Sequence, residues 1–222
     1  MHAIDGAAFE RRDPSPPLPL DEIHVWRFSV VADSPRAIGA AARETLLRLL
    51  AGYAGFAQAP VIAYGPHGKP YAPDLPDLDF NLSHAGNEVL FAFARRQALG
   101  IDLERDGRRL SIDGIARRFF ASAEADALER LGECARRDAF LQLWTAKEAV
   151  LKALGEGLQF GLDRLEFSVG DDAAIGTLRR LEGDVGAPAE WQLRRLLPEP
   201  GLVGALAWRG PPRIVRAFTL ET

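Results

Sequence analysis

The stretch Arg136–Leu154 reads as one long helix that must be buried, and that requirement constrains the fold more than any other feature of the chain. Phe140, Leu141, Leu143, Ala149, Val150, Leu151 and Leu154 leave little room for a wholly solvated face, and Gly155 and Gly157 stand where a helix C-cap favours glycine. Such a helix needs a surface to lie on. Strand-like patterns supply it at Ile23–Val31, Val89–Ala94 and Ala98–Glu104, and again at Leu165–Val169, Trp191–Leu197 and Leu202–Trp208. Further helical patterns run from Pro35 to Gly52, Ile112 to Phe120 and Ser122 to Leu131. The mixture predicts an α+β fold, with helices covering one face of largely antiparallel sheets. The Gly-rich turn that a doubly wound nucleotide fold places after its first strand is missing.

Each half reads as a helix followed by strands that finish in a hairpin. This divides the chain into an N-terminal half at 21–105 and a C-terminal half at 106–222, after a proline-rich arm at 1–20. Asp13-Pro14-Ser15-Pro16-Pro17-Leu18-Pro19-Leu20 lacks the donors that a helix or central strand needs, so the arm is expected to be extended or loosely attached. With 222 residues and a formal net charge of −4, nothing global steers the chain towards nucleic acid or an anionic membrane. The single cysteine, Cys134, rules out an internal disulfide and any cysteine-rich zinc site. No apolar run reaches spanning length and no secretory pattern opens the chain, so a cytoplasmic protein is expected.

Four clusters could carry chemistry. In Gly100-Ile101-Asp102-Leu103-Glu104, strand alternation puts Asp102 and Glu104 on one face, a spacing of hard oxygen ligands that suits magnesium; a solvated edge-strand face is the bland reading. In Trp144-Thr145-Ala146-Lys147-Glu148-Ala149-Val150-Leu151-Lys152, helical spacing aligns Trp144, Glu148 and Lys152 in one stripe with Lys147 beside it. That pattern equally describes an ordinary Glu–Lys pair at i, i+4. Asn81-Leu82-Ser83-His84 places a hydroxyl and an imidazole at a loop-to-strand junction, able to bind phosphate or to serve structure alone. Gly68-Lys69-Pro70 could present backbone donors and an ammonium to a ligand, or be a plain turn.

Taken in this order and at these separations, the clusters resemble the 4′-phosphopantetheinyl transferases, specifically the larger surfactin-type branch. The resemblance runs from about Ile23 to Trp208 and includes Phe119-Phe120-Ala121-Ser122-Ala123-Glu124 between the two most specific motifs. It implies a pseudo-dimer of two α+β halves with coenzyme A in the cleft between them. It also implies Mg2+ held by Asp102, Glu104 and Glu148, with Asp102, Lys147 and Lys152 near the phosphates. Ser83 and His84 would contact phosphate, Gly68, Lys69 and Pro70 would line the adenine and 3′-phosphate side, and Arg43 would grip the 3′-phosphate. Glu124 matches a family acid near the metal. Catalysis would rest on Glu148 as base with Lys152 and Asp102.

The implied reaction moves the 4′-phosphopantetheine group of coenzyme A onto a serine of an apo acyl or peptidyl carrier protein. Arg105, Arg108, Arg109, Arg117 and Arg118 follow the acidic strand and are expected to help dock an acidic carrier. A two-half chain would complete its own cleft as a monomer. The segment Val31–Ile38 departs from the family in being poor in basic residues, which would weaken the grip on the 3′-phosphate unless Arg36 substitutes. The rival readings are a metal-dependent hydrolase of coenzyme A or a phosphodiester, and a non-catalytic coenzyme A-binding protein.

Overall fold

The computed structural model describes residues 3–12, 17–107 and 111–220. Along the chain run β1 (Ala3–Asp5), β2 (Phe9–Arg12), β3 (Glu22–Ser29), α1 (Pro35–Ala54), β4 (Ala63–Tyr64), β5 (Pro70–Tyr71), β6 (Leu78–Ala85), β7 (Glu88–Arg95) and β8 (Leu99–Arg105). They are followed by α2 (Ile112–Phe119), α3 (Ser122–Arg130), α4 (Glu133–Leu154), β9 (Leu165–Val169), β10 (Ile175–Leu181), β11 (Trp191–Leu197), β12 (Leu202–Arg209) and β13 (Ile214–Leu220). The α+β reading is met.

Two sheets form the centre. One has the order β2-β13-β3-β7-β6 and the other β1-β11-β12-β8. Their facing sides share a core that includes Ile23, Val25, Leu90, Ala92, Leu99, Ile101, Leu103, Leu206 and Trp208. Strand alternation turns the next residues outward: Trp26, Phe91 and Phe93 meet α1, while Val203, Ala205 and Ala207 meet α4. The molecule is therefore layered as α1, five-stranded sheet, four-stranded sheet, α4. Ser34 starts α1 by accepting a hydrogen bond from the Ala37 N–H, and Gly55, at φ 68°, ends it in the left-handed conformation that glycine adopts without strain. Gly155 ends α4 in the same way, at φ 78°.

Several expectations need correction. The first residues are no loose arm: β1 pairs in parallel with β11, and β2 pairs in parallel with β13, so residues 3–12 extend one edge of both sheets. The prolines at 17 and 19 do lie outside regular structure. Strands β7 and β8 form no hairpin. Arg96, with φ 51°, turns the chain from one sheet to the other, so β7 pairs with β3 and β6 while β8 pairs with β12. Strand β13 closes onto β3 from the far end of the chain. A boundary at 105 and 106 thus does not follow the sheets. Strands β6, β10 and β13 were not expected from the pattern; in β6 the polar run Asn81, Ser83, His84 masks the strand signal.

Candidate active site

Strand β8 carries two different faces. Leu99, Ile101 and Leu103 enter the core between the sheets, and Gly100, Asp102 and Glu104 turn towards α4. The helix lies directly on the strand at Gly100: a Cβ there would stand 2.1 Å from the Ala149 carbonyl oxygen and 2.4 Å from the Ala153 nitrogen. This close approach brings the acids of β8 under Glu148 and Lys152 of α4. The Lys152 Nζ lies 2.7 Å from Asp102 Oδ1 and donates to the Ile101 carbonyl at 3.1 Å and to Ser83 Oγ at 3.1 Å. Ser83 in turn donates to Asp102 Oδ1 at 2.9 Å.

The outer edge of β8 has no neighbouring strand in its own sheet. Side chains of β6 replace the missing ladder. Asn81 Oδ1 accepts from the Ile101 N–H at 3.0 Å, and Ser83 Oγ accepts from the Leu103 N–H at 3.3 Å. These bonds satisfy backbone donors that an open edge would leave free.

The carboxylates are crowded. Burial pushes the Glu148 carboxyl up to about 7, Asp102 pushes in the same direction, Lys152 opposes, and Glu104 adds a smaller push upward. Asp102 is only 5% exposed, and its Oδ2 is buried with no hydrogen-bond partner. A small hard cation would answer both the disfavoured Glu148 carboxylate and the unpartnered Asp102 oxygen, and carboxylate oxygens are its ordinary ligands. The residues fit magnesium in type. Among the described residues, however, no three His, Cys, Asp or Glu side chains stand together as a ready metal cage.

Lys147 requires a correction. It neighbours Glu148 in sequence, yet one residue along a helix is a rotation of about 100°, and its side chain is fully buried on another face. Its Nζ lies 2.7 Å from Glu124 Oε2 and donates to the carbonyls of Leu162 and Leu165. Glu124 also accepts from the backbone of Ala121 and Phe167. This buried pair ties α3, α4 and β9 together and reaches no ligand space, so neither residue has the phosphate or metal position that the resemblance implies.

Gly68 and Lys69 lie in the turn between β4 and β5, with Gly68 at φ 81°, and Pro70 begins β5. The Lys69 Nζ donates to the carbonyls of Leu99 (3.1 Å) and Ala153 (3.0 Å), pinning the hairpin to β8 and the end of α4. Burial lowers its pKa to about 8, with Asp79 pulling the other way. The result is a groove of about 320 Å3 lined by Gly68, Lys69, Pro70, Asn81, Glu148 and Lys152. Arg43 and His84 are exposed and outside this lining. Ser83 and His84 part company because successive strand residues point to opposite faces. Arg117 is held by Asp126 and Glu129, Arg105 lies 3.7 Å from Glu199, and Arg118 stacks over Phe119. Arg108 and Arg109 lie outside the described residues.

Asn81 is the site residue that sequence reasoning passed over. Its motif drew notice for the hydroxyl and imidazole beside it, and only the pairing of β6 against the β8 edge reveals its bond.

Residues 98–201 match the 4′-phosphopantetheinyl transferase superfamily, the stretch from β8 through α4 to the β11–β12 turn. The chain is 31% identical over 231 aligned positions to the 4′-phosphopantetheinyl transferase HetI of Nostoc sp. (strain PCC 7120), covering 89% of this chain and 93% of HetI. It is 38% identical over 109 residues to the 4′-phosphopantetheinyl transferase Sfp of Bacillus subtilis (strain 168), and 33% identical over 97 residues to AcpT of Escherichia coli (strain K12). Those two alignments take in 49% and 43% of this chain and about half of each relative, 47% of Sfp and 49% of AcpT. The chain belongs to the 4′-phosphopantetheinyl transferase superfamily.

Proposed function

We propose that this protein transfers the 4′-phosphopantetheine group of coenzyme A to a serine of an apo acyl or peptidyl carrier protein, releasing 3′,5′-ADP. The observation that carries the reading is the groove that gathers Gly68, Lys69, Pro70, Glu148 and Lys152 beside the buried Asp102. The pyrophosphate of coenzyme A is the ligand such lysines and carboxylates suit together. Mg2+, held by Asp102, Glu104 and Glu148, would when bound neutralise pyrophosphate charge and give Asp102 Oδ2 a partner. Lys152, fixed by Asp102, Ser83 and the Ile101 carbonyl, is set to stabilise the leaving 3′,5′-ADP.

In the reaction the serine oxygen attacks the β-phosphorus of coenzyme A. A new P–O bond forms as the bond to 3′,5′-ADP breaks, and the serine proton passes to a base. Glu148 takes that proton, directly or through a water, as the acid that lines the groove beside Lys152. Arg43 and His84 reach the 3′-phosphate and phosphate from outside the groove. Arg105, Arg117 and Arg118 receive the acidic carrier. The protein acts as a cytoplasmic monomer. Among the described residues no helix is long and apolar enough to cross a membrane.

Incubation with coenzyme A, magnesium and a panel of apo carriers, read by intact mass, tests the reading. One phosphopantetheine should be gained, and chelation should abolish the gain. Release of 3′,5′-ADP without a carrier would instead mark a hydrolase. Steady turnover by Glu148→Gln at neutral pH, with magnesium affinity unchanged, would remove the base role.

A further inference from the structure

We propose that Arg27 is a positioning residue for the acids of β8: it clamps the β11–β12 turn onto β3 and so fixes where Glu104 stands relative to Asp102 and Glu148. This rests on the function proposed above. Arg27, Leu90 and Ser83 stand side by side on β3, β7 and β6, one row on the face of the five-stranded sheet that meets the other sheet. Leu90, in the middle, is buried in the shared core. The polar residues at the two ends of the row both grip the four-stranded sheet. Ser83 holds β8, accepting from the Leu103 N–H and donating to Asp102. Arg27 holds the turn that follows β11, donating to the Pro198 carbonyl at 3.1 Å and to the Glu199 carboxylate.

The clamp is braced on both sides. Glu88, buried, accepts from Arg27 Nε at 2.8 Å and from Ser29 Oγ at 3.0 Å, which aims the guanidinium across to the turn. On the far side Arg105 comes within 3.7 Å of the other Glu199 oxygen. Gly6 lets the turn pack close: a Cβ there would stand 2.8 Å from the Pro198 carbonyl oxygen. The turn leads straight into the residues that pair with the acid end of β8. Leu202 pairs with Arg105 and Val203 with Glu104, and the Asp106 N–H donates to the Gly201 carbonyl at 2.8 Å. Strand β8 has no neighbour on its other edge in its own sheet, so β12 is the ladder that carries Glu104. Apolar contact between two sheets is non-directional and lets them slide. A planar guanidinium with fixed acceptors does not. Ser83 thus fixes Asp102 from one end of the row, and Arg27 fixes Glu104 from the other.

The test is magnesium binding to the full-length protein saturated with coenzyme A, measured by titration calorimetry beside the magnesium dependence of turnover. Arg27→Met should bind magnesium about tenfold more weakly, the usual effect of losing a residue that holds a metal ligand in place. Glu199→Gln should weaken binding less, because Arg27 keeps its bond to the Pro198 carbonyl. The loss should fall on the half-saturating magnesium concentration, with most of kcat restored in excess magnesium. Tyr53→Phe loosens the opposite layer and should keep wild-type magnesium affinity, which separates positioning from a general loss of stability. Wild-type affinity in Arg27→Met, or equal weakening in Tyr53→Phe, would overturn the inference. Should Arg27→Met not fold, Glu199→Gln decides, and unchanged affinity there overturns it. A wild-type protein that takes up no magnesium with coenzyme A bound would overturn the functional reading itself, and the inference with it.

Discussion

The two outer layers, α1 on the five-stranded sheet and α4 on the four-stranded sheet, are built alike and differ in what lies between helix and strand. Under α1 the space is filled by rings. Tyr53 packs against Phe93 at 4.9 Å, and its hydroxyl accepts from Trp26 Nε1 at 2.7 Å and shares a bond of 2.8 Å with His24 Nδ1. Those side chains hold the helix away from its sheet and seal it there. Under α4, Gly100 offers nothing, and the helix backbone comes down on the strand. Charged groups of helix and strand then meet at hydrogen-bonding distance, which an aromatic spacer would prevent. The site forms where the packing is thinnest, and the opposite layer shows what the same architecture looks like when rings fill the space between helix and sheet.

Substitutions in the two layers can break this contrast, beginning with the largest effect. Lys147→Met leaves Glu124 buried without its partner and should lower unfolding stability by about 3–5 kcal/mol in a denaturant titration, the usual cost of breaking a buried pair. Restoration of part of the loss by Glu124→Gln in the same chain would confirm that the pair, and not ligand contact, explains Lys147. Next is Gly100→Ala. Its methyl meets backbone on α4, so the helix must lift, and we expect a loss of about 3 kcal/mol together with transferase activity. An active, stable Gly100→Ala protein would show that close contact is not what builds the site.

Smaller effects lie in the α1 layer. Tyr53→Phe leaves the Trp26 N–H without its acceptor and should cost about 1–3 kcal/mol of stability while leaving turnover unchanged. Gly39, in the exposed second turn of α1, has no atom within 4 Å of an added Cβ. Gly39→Ala should therefore raise stability by about 0.5–1 kcal/mol, the opposite sign to Gly100→Ala for the same chemical change. Thermal unfolding of the two alanine variants side by side checks this most directly.

Local periodicity carried much of this in the sequence. Alternation placed Asp102 and Glu104 on one face of β8, and the four-residue spacing placed Glu148 and Lys152 on one stripe of α4. What sequence could not supply was the direction of single side chains next to those patterns. Lys147 is adjacent to Glu148 in the motif but a quarter-turn away in space, so its burial against Glu124 was hidden. The strand β6 was hidden for a related reason: its polar residues bond to another sheet's edge, a non-local fact that makes Asn81 and Ser83 look like loop residues. The pairing of β13 with β3, and of β1 and β2 with the two sheets, likewise depends on partners far along the chain.

That last pairing has a consequence for how the protein is made. Arg216 on β13 bonds Glu22 on β3 across 194 positions, and no strand made earlier occupies that side of β3. At about 5–20 residues per second, a ribosome needs roughly 10–40 seconds to deliver the missing neighbour. Once β7 has been made and has paired with the other side of β3, the three strands β3, β7 and β6 expose an apolar strand with one unpaired edge until β13 arrives, the form most open to pairing with another nascent chain. The demands on cellular folding helpers should thus fall on the half of the molecule that is synthesised first and completed last.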